Sequence, residues 1–303
     1  MGEYAIILNF IDEKKHSEDV SNSFRFETNA QSFEIEYEVQ NISMNLLQYV
    51  GTTTRVGICV MYKRPHEKNW SNIDSYAYDS PVTIDMSRFI EKNENYEILI
   101  YPPIFSSLSK LRVHISDEYY ASISSFIHDK NIVVAGGPHS FGLGCTTVNN
   151  IFSNILERKI DAKLYNLSYN NKNYLRLIKN YYMNNNPPIA DVGILELDYF
   201  PQNESFIEED LPQVINLMKK KCKYLIGWYA IPNKKSFKKI IANNIIRNFI
   251  YSEEITVVDM SYIYDDYHKD MCVYNNWFIN DSGNLLIYKK LIEEIRRLTR
   301  WNI

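Results

Sequence analysis

The first third of the chain alternates short β-prone runs with polar turns, at residues 4–10, 32–39, 54–62, 82–84, 97–101 and 111–115. In Phe33-Glu34-Ile35-Glu36-Tyr37-Glu38-Val39 apolar and acidic residues alternate strictly. That period of two puts the apolar set on one face of a strand and leaves the other face wet. Several such runs without long intervening helices predict antiparallel pairing, and a β-sandwich of jelly-roll type is the economical way to hide their apolar faces. We assign it to residues 1–118.

From Asp129 the rhythm becomes strand, helix, strand, helix. Short apolar runs at 131–135, 163–167, 192–197, 224–231 and 255–260 read as strands. Between them lie helical stretches: Val148, Ile151, Phe152, Ile155 and Leu156 at helical spacing, then residues 173–183, 210–221 and 236–250. The last helix carries Leu285, Tyr288, Leu291, Ile292, Ile295 and Leu298 on one face, with Asp281 or Ser282 as its N-cap. Five short strands alternating with helices predict a parallel sheet covered on both sides, over residues 119–303. Ligands of such sheets sit beyond the carboxyl ends of the strands. The loops after Ala135, Leu167, Leu197, Ile231 and Met260 are therefore the places to look for chemistry.

Composition narrows the function classes. The chain has 303 residues, 45% hydrophobic and 23% charged, with a net charge of −4. This argues against global disorder and against an electrostatic grip on nucleic acid. No apolar run approaches the roughly 20 residues that a membrane-spanning helix needs, and the start of the chain does not resemble a signal peptide. The expectation is a cytoplasmic protein without a membrane or nucleic-acid partner. Cys59, Cys145, Cys222 and Cys272 lie far apart without metal-ligand spacing, so they are expected to be reduced thiols. The same holds for His16, His66, His114 and His128, and no cofactor or metal is expected. Lys219-Lys220-Lys221 with Lys223, and Lys234-Lys235 with Lys238-Lys239, read as solvated helix ends.

The most informative stretch is Asn131-Ile-Val-Val-Ala-Gly-Gly-Pro-His-Ser-Phe-Gly-Leu-Gly-Cys145, where a strand runs through clustered glycines into a helix. Glycines there allow a sharp turn and close approach of the backbone to a neighbour. A nucleotide loop would need GxxxxGK[ST] or GxGxxG, and neither is present. A metal loop would have His139 without a companion carboxylate nearby in sequence. A tight turn that holds a helix against a sheet is the plain structural reading.

The stretch also resembles the first block of the SGNH (GDSL) hydrolases, in the branch that carries a β-sandwich before the hydrolase domain. Gly136, Gly142, Gly144 and Cys145 match that block, and Lys163-Leu164-Tyr165-Asn166-Leu167-Ser168 supplies the second. The resemblance implies a three-layer α/β/α, flavodoxin-like domain with a five-stranded parallel sheet. Its usual activity is hydrolysis of acyl esters, often on carbohydrates. Laid on the motif without gaps, the nucleophile's position is Pro138, which has no hydroxyl to deprotonate. The region of the second block's oxyanion donors reads Tyr169-Asn170-Asn171-Lys172. Asp198-Tyr-Phe-Pro-Gln-Asn203 resembles the third block with one residue inserted. Anchored on Gly283, the block before the last helix places Asn275 where the aspartate belongs and Phe278 where the histidine belongs. Phenylalanine accepts no proton, and loss of one member of a triad costs orders of magnitude in rate.

The leading expectation is therefore a binding or accessory protein that has lost the hydrolytic triad. Gly137, Pro138, His139, Asn171, Asn203, Asn275 and Phe278 would line its ligand site, for a small molecule, saccharide or peptide, and a protein partner would supply any chemistry. One alternative is an active esterase or acyl transferase that uses Ser140 or Cys145 with His268 and Asp265, since Asp265-Asp266-Tyr267-His268 restores the lost Asp-x-x-His spacing. Another is a purely structural or interaction protein. A serine, an imidazole and a carboxylate converging in that cleft, from any positions, would overturn the leading expectation.

Overall fold

The computed structural model describes residues 4–11, 23–40, 50–123, 128–198, 204–230, 237–252, 254–275 and 277–303. They fall into two compact units, Met1–Ile127 with Thr146–Asn149 and His128–Cys145 with Asn150–Ile303. In the first unit the elements are β1 (Tyr4–Ile11), β2 (Phe24–Thr28), β3 (Ser32–Gln40), the short helix α1 (Thr52–Val56), β4 (Gly57–Lys63), β5 (Ser71–Ala77), β6 (Val82–Asp85), β7 (Tyr96–Tyr101), β8 (Ser107–Ser116) and β9 (Ala121–Ile123). They form two antiparallel sheets, ordered β1-β8-β3-β6 and β5-β4-β7-β2-β9.

The alternation in β3 does what its pattern requires. Phe33, Ile35 and Tyr37 are buried, and they share one core with Leu111 and Val113 of β8 and with Phe26, Ile58, Val60, Ile98 and Ile100 of the other sheet. The acidic set points away from that core, where Glu36 pairs with Lys110 and His114. One expected strand begins differently: residues 52–56 are helical, and the strand starts at Gly57. The Thr53 and Thr54 hydroxyls donate to the carbonyl of Thr146 at 3.1 and 2.8 Å, which favours the turn over the β preference of threonine. Strands β2, β5 and β9 were not predicted by periodicity. The seven residues of β5, SNIDSYA, carry no clear alternation, and the strand lies at a sheet edge.

The second unit runs β10 (Asn131–Gly136), α2 (Pro138–Phe141), α3 (Phe152–Ile160), β11 (Lys163–Ser168), α4 (Tyr174–Asn184), β12 (Ala190–Glu196), α5 (Glu204–Lys219), β13 (Cys222–Tyr229), α6 (Phe237–Tyr251), β14 (Thr256–Asp259), a 3-10 turn (Ser261–Tyr264), α7 (Lys269–Cys272), β15 (Val273–Tyr274), β16 (Phe278–Ile279) and α8 (Asp281–Thr299). The sheet has five parallel strands in the order β11-β10-β12-β13-β14. Alternate residues of each strand face opposite layers. Ile132 and Val134 pack with Phe152 and Leu156 of α3 and Leu291 and Ile295 of α8. Val133 and Ala135 pack with Ile178 of α4 and Leu211 and Val214 of α5.

Two helix boundaries differ from expectation. Helix α5 starts at Glu204, six residues before Asp210, and keeps Pro212 inside. Burial of Ile207, Leu211, Val214, Ile215 and Met218 along one face outweighs the backbone hydrogen bond that a proline removes. The N-cap of α8 is Asn280, whose side chain accepts from the Gly283 N–H at 3.1 Å, rather than Asp281 or Ser282. Its buried face includes Asn284 and Ile287, and Leu285 is exposed. Among the described residues no helix is long and apolar enough to cross a membrane.

Helices α4 and α5 are clamped by Asp210, which is fully buried and accepts from Arg176 Nε at 3.2 Å and from the Lys179 ammonium. Asp210→Ala is expected to lower the unfolding free energy by about 2 to 3 kcal/mol in urea titrations. This lies below the loss for a wholly buried pair, because Arg176 is partly exposed and can return to water.

Candidate functional site

The site lies where β10 and β12 end. Gly136 closes β10, and Gly137 is the N-cap of α2. A Cβ on Gly136 would fall 2.6 Å from the Glu196 Cβ and 2.6 Å from the Ser140 Oγ. Only glycine lets the turn lie this close to β12. Gly142 (φ +97°) and Gly144 (φ +108°) take left-handed conformations after the turn, and a Cβ on Gly144 would fall 2.5 Å from the Ile279 carbonyl oxygen.

Glu196 ends β12 and is fully buried. Its carboxylate accepts from the N–H groups of Gly137 (3.0 Å), Ser140 (2.7 Å) and, at the other oxygen, His139 (3.4 Å). The N–H groups that open α2 are thus committed to an internal carboxylate. Pro138, between them, has no N–H to offer. The Ser140 side chain is buried beside the same carboxylate.

His139 is the second member of this buried group. Its Nδ1 lies 2.9 Å from Asp198 Oδ2, and its Nε2 lies 3.0 Å from the carbonyl oxygen of Trp277 and 3.3 Å from the Tyr264 hydroxyl. Both ring nitrogens face acceptors, so both carry protons when these bonds are made. Burial works against the charge. The hydrogen bond and charge of Asp198, then the charge of Glu196 and the Trp277 carbonyl, outweigh it and hold the imidazole pKa above its ordinary value. Burial likewise pushes the Glu196 carboxyl up, against the pull of the imidazolium and the α2 amides. Asp198 is fixed in turn by the Ala230 N–H at 3.0 Å, and the Tyr174 hydroxyl lies 2.9 Å from its carbonyl oxygen.

A serine, an imidazole and two carboxylates therefore do converge, but not as a triad. In a triad the imidazole links the carboxylate to the nucleophile's hydroxyl. Here it links Asp198 to the Trp277 backbone, and the serine sits on the other carboxylate. The donor atoms of His139, Glu196 and Asp198 lie within 4.8 Å of one another, as they would around a metal ion. Each is already engaged by hydrogen bonds within the protein, so the group is a self-satisfied ion cluster.

The other candidate residues divide as follows. Pro138 is buried at the first position of α2. Phe278 is half-buried on β16 and lies against Gly144, and the carbonyl of its neighbour Trp277 reaches His139. The two positions matched to nucleophile and base are thus both at the α2 turn. Asn275 is exposed, with a left-handed φ of 50°, in the turn between β15 and β16. Asn171 is exposed and accepts from the Asn173 N–H at 2.8 Å, which shapes the entry to α4. Asn203 lies outside the described residues.

The relocated pair also forms, with His268 Nδ1 2.8 Å from Asp265 Oδ1. The ring of His268 otherwise meets Tyr262 and Tyr267, and it makes no hydrogen bond to Ser140 or Cys145. Asp265 also accepts the Tyr267 and His268 N–H groups, so the pair shapes the turn that leads into α7. The Cys145 thiol is buried, and burial together with Asp281 pushes its pKa well above the ordinary value, which disfavours a thiolate nucleophile.

Sequence reasoning missed Glu196 and the partnership of His139. A signal existed: the glutamate interrupts the apolar run Val192-Gly193-Ile194-Leu195-Glu196-Leu197 of a central strand, where a carboxylate must find partners.

No family model matches the chain, and none of the curated proteins is similar to it in sequence. Solved structures do match. A protein described as a GDSL-like lipase from Bacteroides ovatus superposes with a TM-score of 0.72 at 16% identity, covering 92% of this chain and 84% of that one. A family two carbohydrate esterase from Clostridium thermocellum, in complex with cellohexaose, gives 0.63 at 7% identity, covering 98% and 100%. The salicylyl-acyltransferase SsfX3 of a tetracycline biosynthetic pathway gives 0.63 at 10%, covering 93% and 84%. The chain has the SGNH hydrolase-like fold, preceded by a β-rich region.

Removing the buried carboxylate should be costly. Glu196→Ala leaves three N–H groups and an imidazolium without it, and a loss of about 3 to 5 kcal/mol in urea unfolding is expected. Glu196→Gln keeps one acceptor oxygen and should fall between the two.

Proposed function

We propose that this protein is an SGNH-like binding or accessory protein that has lost ester hydrolysis. One observation carries the reading: the turn that bears Pro138 and the strand that bears Phe278 meet at the α2 turn, yet neither residue can attack a carbonyl or move a proton. Of the nearby groups with suitable chemistry, His139, Asp198 and Glu196 are buried and tied to one another or to the backbone, and the buried Ser140 hydroxyl makes no hydrogen bond to the imidazole. Aromatic side chains of this part of the chain are open to solvent instead, with Trp277 and Tyr267 exposed and Phe278 half-buried.

Rings of this kind stack on the apolar faces of sugars, and a structural neighbour is described in complex with cellohexaose. A saccharide is therefore the ligand class we favour, with Trp277 and Phe278 as apolar contacts and Asn275 as a polar one, above the buried Pro138. Any bond-breaking step would then fall to a partner protein. The enzyme reading through Ser140 or Cys145 is disfavoured, because His268 makes no hydrogen bond to either.

With p-nitrophenyl acetate and with acetylated cello- and xylo-oligosaccharides, the protein should release acid no faster than buffer alone. Turnover that disappears in Ser140→Ala or Cys145→Ala, with circular dichroism unchanged, would restore the esterase. Titration with oligosaccharides, followed by calorimetry, should show binding that weakens about tenfold in Trp277→Ala, the scale of one lost stacking contact. Binding that Trp277→Ala and Phe278→Ala both leave intact would move the ligand site elsewhere.

A further inference from the structure

The contacts of His139 reach beyond the active-site question. Its ring lies between Asp198, just after β12, and the backbone of Trp277, at the turn between β15 and β16. These two strands are only two residues long each, paired as Val273 with Ile279 and Tyr274 with Phe278. Their turn includes the left-handed Asn275 and a Trp277 N–H that donates to the Tyr274 carbonyl at 3.0 Å. A ladder this short is marginal by itself. Its position therefore depends on what holds it from outside.

We propose that His139 is a proton-operated latch, which pins the β15–β16 turn to the end of β12 when charged and lets the Trp277 backbone go when neutral. The inference goes beyond the binding reading and rests on geometry that needs no ligand.

The charged ring donates twice, Nδ1–H to Asp198 and Nε2–H to the Trp277 carbonyl oxygen. The Tyr264 hydroxyl donates to the same carbonyl at 2.7 Å, so that one oxygen accepts two bonds. Loss of one proton changes the pairing. Asp198, itself fixed by Ala230, retains the Nδ1–H, and the Nε2 lone pair then faces the Trp277 oxygen at 3.0 Å, acceptor against acceptor. The Tyr264 hydroxyl is 3.3 Å from that nitrogen and has a single proton to give. It turns to Nε2, and the Trp277 carbonyl loses both of these donors together. Tyr264 remains a donor throughout, because burial pushes its own pKa up.

Among the described residues, the ionisable groups that face the ring are Asp198 and Glu196 from the β12 segment and Tyr264 from the 3-10 turn. From β13 it meets the neutral ring of Trp228, at 6.3 Å between centroids, and within α2 its neighbour is the neutral Ser140. Both carboxylates favour the charged imidazole. The sign follows: the pKa in the folded protein lies above the ordinary value near 6.5, so the latch is closed below that pH and opens as pH rises through the folded value.

The test is a pH titration, from 5.5 to 9.5, of protein labelled with 15N-tryptophan, with the Trp277 resonances assigned through Trp277→Phe. The Trp277 backbone amide should shift along a single titration curve with its midpoint above 6.5, while Trp70 and Trp301 stay in place. His139→Gln should abolish the curve. Tyr264→Phe removes the partner of the neutral ring and should move the midpoint upward; it decides the matter if His139→Gln does not fold. An invariant Trp277 amide, a midpoint below 6.5, a curve that survives His139→Gln, or a midpoint that Tyr264→Phe leaves unchanged or lowers would each overturn the latch.

Discussion

A carboxylate without water must find its compensation inside the protein, and Glu196 finds it in the first amides of α2. Much of the local architecture serves that requirement. Gly136 has no side chain because the carboxylate and Ser140 occupy the space. Gly137 takes the extended conformation that aims its N–H at Glu196. His139 brings a positive charge, and Asp198 keeps that charge in place while being held by Ala230 and sitting next to Tyr174 in the fold. The turn, the ends of two central strands and the segment before α8 are thereby joined through one buried electrostatic group.

How much of this could be read from the sequence depended on the range of the interaction. Strand β3 was legible because its period of two is written in seven consecutive residues. The five parallel strands were legible as short apolar runs between helical stretches, and α8 by its helical periodicity, both signals carried by neighbouring residues. Helix α5 was misjudged at its start because Pro212 is a strong local signal and the burial of Ile207 is a tertiary one. The His139 cluster was out of reach for periodicity: its partners are 57 and 59 residues away along the chain and meet only once β12 lies beside β10. The turn itself was found from its glycines. What those glycines accommodate, a glutamate side chain, was not.

The fold of this chain does not by itself decide a reaction. The SGNH-like sheet, the turn after β10 and the segment before α8 are all present, and structures with this arrangement include proteins described as esterases, a lipase and an acyltransferase. The scaffold brings the relevant positions together whatever residues occupy them. A function must therefore be argued from the side chains at the site, and here these are a proline, a phenylalanine and a closed ion cluster.

The closeness of Pro138 to the amides that hold Glu196 also constrains what position 138 can accommodate. A serine placed at position 138 would bring a hydroxyl and an N–H, yet it would enter a turn whose neighbouring amides already serve a resident anion, while the His139 ring is turned to Asp198 and Trp277. Removal of the resident anion alone leaves those amides without their acceptor. Positions 138 and 196 are therefore coupled: what a substitution at one of them does to the turn depends on which residue stands at the other.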